Sequence, residues 1–137
     1  MMSKLGTAYI YGCSHAAGSE IEGDEINTPT PYNLANSFPT KLAKLLGYQP
    51  ANHAAAGASN DFIYRQIRDL NAETNDLIIA VWTGRERIEV FDEVLDTWLN
   101  FSHGMHLTAS KYTDTHRKFY ELFEKLLNDE QCYRGTL

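Results

Sequence analysis

One pattern recurs three times in this sequence and restricts the fold more than any other feature: a short predicted strand followed by a turn of small residues. The turns contain Gly12, Gly57 and Gly84, and the predicted strands are residues 8–11, 50–54 and 77–82, of which the first and third are apolar. Such units build a parallel sheet through right-handed crossovers, with helices on both faces. The carboxyl ends of its strands meet at one edge, where ligands bind. The pattern therefore predicts a three-layer α/β/α fold, flavodoxin-like in outline, whose three turns face one crevice.

The predicted units lie within a single domain spanning residues 1–137 and cover about 7–47, 50–72 and 76–101. In the third unit, the apolar residues between 88 and 101 have the spacing of an amphipathic helix. A further helix is predicted over 115–128. Three strands make a small sheet, so we expect the sheet to be incomplete and its exposed edge or helix face to favour a homo-oligomer.

The loop predicted at residues 19–33 is polar, contains two prolines and is long for a compact domain. Loops of this length are frequently lids or specificity loops, and this is a candidate for one.

Charge and cysteine content exclude several classes of function. The net charge of −6 and the pI near 5.3 argue against binding to a nucleic-acid backbone. No apolar run approaches the roughly 20 residues that span a bilayer. Cys13 and Cys132 have no metal-type spacing and are expected to be free thiols in the cytoplasm. We therefore expect no metal, no cofactor and no membrane partner.

Ser14 is the candidate nucleophile, because it follows the first strand at the edge where α/β sheets bind ligands. A hydroxyl above turning backbone N–H groups can attack a carbonyl beside an oxyanion site. The alternative is an ordinary Gly/Ser turn without chemistry, since such turns are common.

Residues 12–15, Gly-Cys-Ser-His, resemble the first block of the SGNH (GDSL-like) hydrolases, particularly the divergent versions encoded by bacteriophages. The resemblance covers about residues 6–92. It implies that Ser14 is the nucleophile and that its own N–H contributes to the oxyanion site. Cys13 stands where the family usually has Asp.

Two further blocks extend the resemblance. Residues 56–60 are similar to the second block, which implies that the N–H of Gly57 is an oxyanion donor. Residues 81–85 stand at the third block, and Gly84 falls where the family has an Asn that donates to the oxyanion. Asn60 could replace that donor.

The family's last block, Asp-x-x-His, supplies the general base, and it does not occur here. Its nearest substitute is residues 114–116, Asp-Thr-His, and His116 is the candidate base with the strongest case. His15 adjoins Ser14 and is a weaker candidate base, because neighbouring side chains in a turn usually diverge. His53 is expected to be a satisfied core or edge histidine. The His-x-x-His pair of His103 and His106 is expected to be solvated, with metal binding as the alternative. The resemblance also implies a further crossover and strand, so the chain is either the first part of a longer protein or a short form.

The charged third turn has two readings. Arg85 and Arg87 could face the crevice and hold a carboxylate or phosphate oxygen of the substrate, with His15, Thr83 and Gly84 beside them. Alternatively, these charges form local pairs on a solvated surface.

Together, these observations predict an SGNH-type serine esterase or acetyl-hydrolase acting on an ester of a small molecule or sugar. The resemblance implies a cytoplasmic location, that of the host cell if the protein is phage-encoded. The alternative is a catalytically impaired phage-encoded module that keeps the fold for binding or structure. A nucleotide-binding flavodoxin-like domain is a third possibility, but the sequence has no Gly-x-Gly-x-x-Gly or P-loop pattern.

Overall fold

The protein is described from a computed structural model. The structure describes residues 5–19, 21, 29–84, 86–105, 107 and 112–135, with side chains as far as residue 129. It contains a three-stranded parallel sheet and a two-stranded antiparallel sheet, so the chain is a mixed α/β protein.

The parallel sheet has the strand order β2-β1-β3 and consists of β1 (Thr7–Gly12), β2 (Gln49–Asn52) and β3 (Leu77–Val81). Ala8 of β1 aligns with Pro50 on one side and with Leu77 on the other. These are the three strands that the sequence predicts, with ends that differ by one or two residues. β1 is central, and its Ala8 and Ile10 are fully buried.

Helices α3 (Phe38–Leu45) and α4 (Asn60–Arg68) pack against alternate residues of β1. Ala43 of α3 packs with Ala8 and Ile10, whereas Ile63 of α4 packs with Tyr11. Successive side chains of a strand point to opposite faces, so the two helices cover opposite faces of the sheet. Both helices were predicted from the sequence.

Two short helices precede α3, namely α1 (Ser14–Ala17) and α2 (Pro31–Asn36). Helix α2 corrects part of the predicted loop over residues 19–33. Thr30 begins this helix, and its hydroxyl accepts a hydrogen bond from the N–H of Asn33 at 3.1 Å. Pro31 occupies the first turn, where its missing N–H costs nothing. Residues 20 and 22–28 of the candidate lid lie outside the described residues.

The helix predicted between residues 88 and 101 is wrong. This segment forms an antiparallel hairpin of β4 (Arg87–Asp92) and β5 (Thr97–Ser102), in which Val90 is opposite Leu99. Both faces of the hairpin carry apolar side chains, because Phe91 and Trp98 pair on the second face with ring centroids 5.2 Å apart. Because both faces of each strand carry apolar residues, the sequence lacks the strict alternation of a strand with one buried face. The same residues also fit the apolar spacing of one face of a helix.

The last helix, α5 (Asp114–Gly135), confirms the prediction over 115–128 and extends beyond it at both ends. Its Phe123 packs with Leu99 and Phe101 of the hairpin, which together with Leu107 and Tyr112 form the second core of the chain. No helix among the described residues is long and apolar enough to cross a membrane.

Candidate functional site

The three small-residue turns lie at one edge of the parallel sheet, as predicted. β1, β2 and β3 run in the same direction, so their carboxyl ends, at Gly12, Asn52 and Val81, share that edge. A side chain at Gly12 would collide with Ala16, since its Cβ would lie 2.5 Å from the Cβ of Ala16. The absence of a side chain at Gly12 therefore lets α1 fold back directly against the strand ends.

Ser14 begins α1 immediately after β1 and is partly exposed. It directly follows Cys13, whose side chain is buried at the end of the strand. Burial raises the pKa of the Cys13 thiol, but the N–H of His15, the side chains of Thr83 and Ser14, and the positive charge of Arg87 lower it by more. The pKa of Cys13 therefore lies below its ordinary value. The sequence pattern did not single out this thiol for chemistry.

Gly57 lies in the second turn with φ of +77°, a backbone conformation that favours glycine. The turn is closed by a hydrogen bond from the N–H of Ala58 to the carbonyl of Ala55, at 3.2 Å. A Cβ at Gly57 would meet open space, so the backbone is exposed at this point of the edge.

Asn60 connects the second turn to the third. Its amide donates to the carbonyl of Thr83 at 3.0 Å, and its carbonyl accepts from the N–H of Thr83 at 2.8 Å. One amide proton remains beyond this pair. In this conformation, Asn60 joins the two turns, and the oxyanion role of its remaining amide proton stays a prediction.

The third turn brings Thr83 and Gly84 to the same edge. The carboxylate of Glu86 lies against Gly84, and a side chain there would displace it. Arg87 follows at the start of β4, partly buried. Its positive charge is one of the causes that lower the pKa of Cys13, at the end of β1. Arg85 lies outside the described residues.

His116 is buried on α5 and has partners at both ring nitrogens. Its Nε2 bonds to the carboxylate of Asp92, and its Nδ1 accepts from the N–H of Thr113 at 3.0 Å. Asp92 lies five residues beyond Arg87, which is about 17 Å along an extended strand. This arrangement leaves no nitrogen of His116 free for a proton from Ser14. The Asp92–His116 pair spans 24 residues, so no local motif could have indicated it.

The remaining histidines differ in their surroundings. His15 is exposed next to Ser14. His53 is exposed after β2, and its ring stacks on Tyr11 with centroids 5.5 Å apart. His103 bonds to Glu124, with 2.8 Å between Nδ1 and Oε2. His106 lies outside the described residues.

A cavity of about 530 Å³ lies between the hairpin and the first turns of α5. Its walls are mostly apolar, with Val90, Phe101 and Phe119 among them, and the Asp92–His116 pair forms one side. Both members of that pair are already hydrogen-bonded, so the cavity offers little polar chemistry. Within the described part of the chain, no group of three or more His, Cys, Asp or Glu residues could hold a metal ion.

No family model, curated protein or solved structure matches the chain. The resemblance to the SGNH hydrolases therefore remains a prediction that depends on the residues quoted above.

Proposed function

We propose that this protein is a serine ester hydrolase of the SGNH type, with Ser14 as the nucleophile and an ester or acetyl group of a small molecule or sugar as the substrate. The observation that carries the proposal is the position of Ser14, which directly follows β1 at the edge where three turns converge. The proposal includes a three-layer α/β/α arrangement for the first part of the chain.

In the proposed reaction, the Ser14 oxygen attacks the carbonyl carbon, the alcohol leaves, and water then hydrolyses the acyl-serine. The N–H groups of Ser14 and Gly57 stabilise the negative charge that develops on the carbonyl oxygen. The open space beside Gly57 supports this assignment, because no other atom lies within 4 Å of the place where a side chain would begin.

The proton of Ser14 needs an acceptor other than His116, whose ring nitrogens are both engaged. His15 and His53 are the exposed histidines at this edge of the sheet. We assign the general base to one of these two. A positioned base contributes about a hundredfold or more to such reactions, so its removal is measurable.

A second candidate function is ligand binding without turnover at the same edge. The observation that favours it is that no base is bonded to Ser14 in the described part of the chain. Among the described residues, no histidine nitrogen has Ser14 as its hydrogen-bond partner. A serine hydroxyl without a base is a weak nucleophile at neutral pH.

Labelling with a fluorophosphonate probe tests the proposal, because the probe reacts with activated serines. We expect the native protein to be labelled at Ser14 and Ser14→Ala to lose the label. Ser102→Ala is the matched control, since the described hydrogen bond of Ser102 uses its backbone carbonyl. The same assay on His15→Ala and His53→Ala identifies the base.

Absence of labelling in native protein that is folded by circular dichroism would contradict the hydrolase. Label attached at another serine would contradict the role of Ser14. Absence of labelling favours the second candidate, which predicts ligand binding that survives Ser14→Ala.

A further inference from the structure

Among the described residues of the candidate site, Arg87 is a cation without a counter-ion within ion-pair distance. None of the ion pairs found among the described residues includes it. Glu89, two residues further along β4, is occupied by Arg65, with 2.7 Å between Nη2 and Oε1. The nearest carboxylate on the same strand is therefore already neutralised by another residue.

Burial makes the missing counter-ion significant. The Nη1 atom of Arg87 is covered by the protein and has no hydrogen-bond partner among the described residues. Buried polar groups are nearly always hydrogen-bonded, and an unpaired buried charge is costlier than an unpaired neutral group. This nitrogen of the guanidinium thus lacks a partner that would stabilise it.

The location of Arg87 links this unpaired charge to the turn that carries Ser14. Arg87 begins β4, three residues after Gly84 of the third turn. Its charge reaches Cys13, which immediately precedes Ser14. A ligand that contacts Ser14 is therefore within reach of the field of this guanidinium.

We propose that Arg87 binds an oxyanion group of the substrate, so that the protein prefers esters carrying a carboxylate or phosphate near the scissile carbonyl. The planar fork of a guanidinium matches the geometry of such a group and binds it through two parallel hydrogen bonds. The inference rests on the proposed function in one respect, since it takes the Ser14 edge as the ligand site.

The test compares two aryl esters that differ in charge, 4-nitrophenyl acetate and the mono-4-nitrophenyl ester of glutarate. In Arg87→Gln, we expect kcat/KM for the glutarate ester to fall by about tenfold to a hundredfold, as loss of a hydrogen bond to a charged group implies. The value for the acetate should fall by clearly less, because this ester carries no anionic group for Arg87 to bind. Arg87→Lys keeps the charge but loses the fork, so its loss on the glutarate ester should be intermediate.

Arg68→Gln is the matched control because it removes the same charge elsewhere. Arg68 lies at the opposite end of α4 from Asn60, is exposed and pairs with Asp69. We expect Arg68→Gln to leave kcat/KM unchanged for both esters. An equal loss on both esters in Arg87→Gln, or the same selective loss in Arg68→Gln, would overturn the inference. Circular dichroism shows whether each variant is folded, and Arg87→Lys replaces Arg87→Gln if the latter is not.

Calorimetric binding of glutarate to Ser14→Ala separates this inference from the proposed function. We expect glutarate to bind and the added Arg87→Gln change to weaken binding by at least about tenfold. If neither ester is hydrolysed but this pattern is seen, the hydrolase proposal fails and the inference stands. If glutarate and inorganic phosphate both fail to bind, the inference is wrong, even where the acetate is hydrolysed.

Discussion

Asn60 shows at the scale of single residues how the candidate site is held together. Its amide bonds both backbone groups of Thr83, and it begins the helix that Ser59 caps by accepting from the N–H of Phe62. Two turns that are more than twenty residues apart are thereby fixed relative to each other.

Replacing Asn60 by alanine should destabilise the protein. The change leaves the N–H and carbonyl of Thr83 without partners, which costs about 2 kcal/mol. Chemical denaturation with urea measures this loss. Asn36→Ala is the control, since Asn36 makes one exposed hydrogen bond within its own helix and should lose less than about 1 kcal/mol. Equal losses in the two variants would contradict the bracing role of Asn60.

Local chemistry explains which residue roles the sequence could predict. The cap at the start of α4 is Ser59, and such a cap can be predicted because capping depends on neighbours in the chain. The Asn60–Thr83 brace and the Asp92–His116 pair span 23 and 24 residues, so they depend on how elements meet in space. No spacing rule applies to such pairs.

At the scale of elements, the parallel strands were predictable and the hairpin was not. Strands β1 and β3 are continuous apolar runs bounded by turn residues, which is typical of buried parallel strands. Strands β4 and β5 instead carry apolar side chains on both faces, because one face packs on α5 and the other contacts Arg65 of α4. Such a sequence satisfies helical and extended spacing equally well.

Arg65 joins α4 to the hairpin and should be important for stability. Its guanidinium binds both oxygens of Glu89, at 2.7 and 3.2 Å, and lies 4.7 Å from the ring centroid of Trp98. The Glu89 side chain is only 1% exposed, so Arg65→Ala leaves a buried carboxylate unpaired.

We expect Arg65→Ala to lower the free energy of unfolding by about 3 kcal/mol. The double variant Arg65→Met, Glu89→Leu should recover most of that loss, because it removes both charges and keeps apolar packing. Thermal unfolding followed by circular dichroism compares the variants. A double variant that is less stable than Arg65→Ala would show that the ion pair contributes beyond avoiding an unpaired charge.

At the scale of the whole molecule, two carboxyl groups tie the hairpin and the segment after it to α5. The N–H of Leu95 and the ring of His116 hold the pKa of Asp92 below its ordinary value. The hydroxyl of Tyr120 and the N–H of Gly104 do the same for the pKa of Glu124. Burial and, second to it, the hydrogen bond with Glu124 raise the pKa of Tyr120 to about 12.

These shifts predict acid sensitivity of the folded state. A carboxyl group whose pKa is lowered by folding stabilises the protein above its unfolded pKa, near 4, and loses that contribution as the pH falls through the folded pKa. We expect the melting temperature to fall as the pH is lowered from about 5 to about 3. The fall should be smaller in Asp92→Asn and in Glu124→Gln. Asp129→Asn, at an exposed position, is the control, and an equal flattening there would contradict the assignment.

Surface composition bears on the predicted homo-oligomer, which stays a proposal. Helix α3 presents a row of apolar side chains on its outer side, with Leu45 85% exposed and Phe38, Leu42 and Leu46 also exposed. Single exposed apolar residues are common on protein surfaces, whereas a contiguous row of them is typical of a surface that contacts another protein segment.

The contact of Arg65 with two strands has a consequence for how this protein can change during evolution. Arg65 contacts Glu89 on β4 and Trp98 on β5, so one substitution affects three elements at once. If the arginine is lost first, the carboxylate stays buried without a partner, which lowers stability strongly. If the carboxylate is lost first, the guanidinium still contacts an aromatic ring, which costs less stability. Lineages that abandon this contact should therefore replace position 89 before position 65, and descendants that keep Glu89 without Arg65 should be rare.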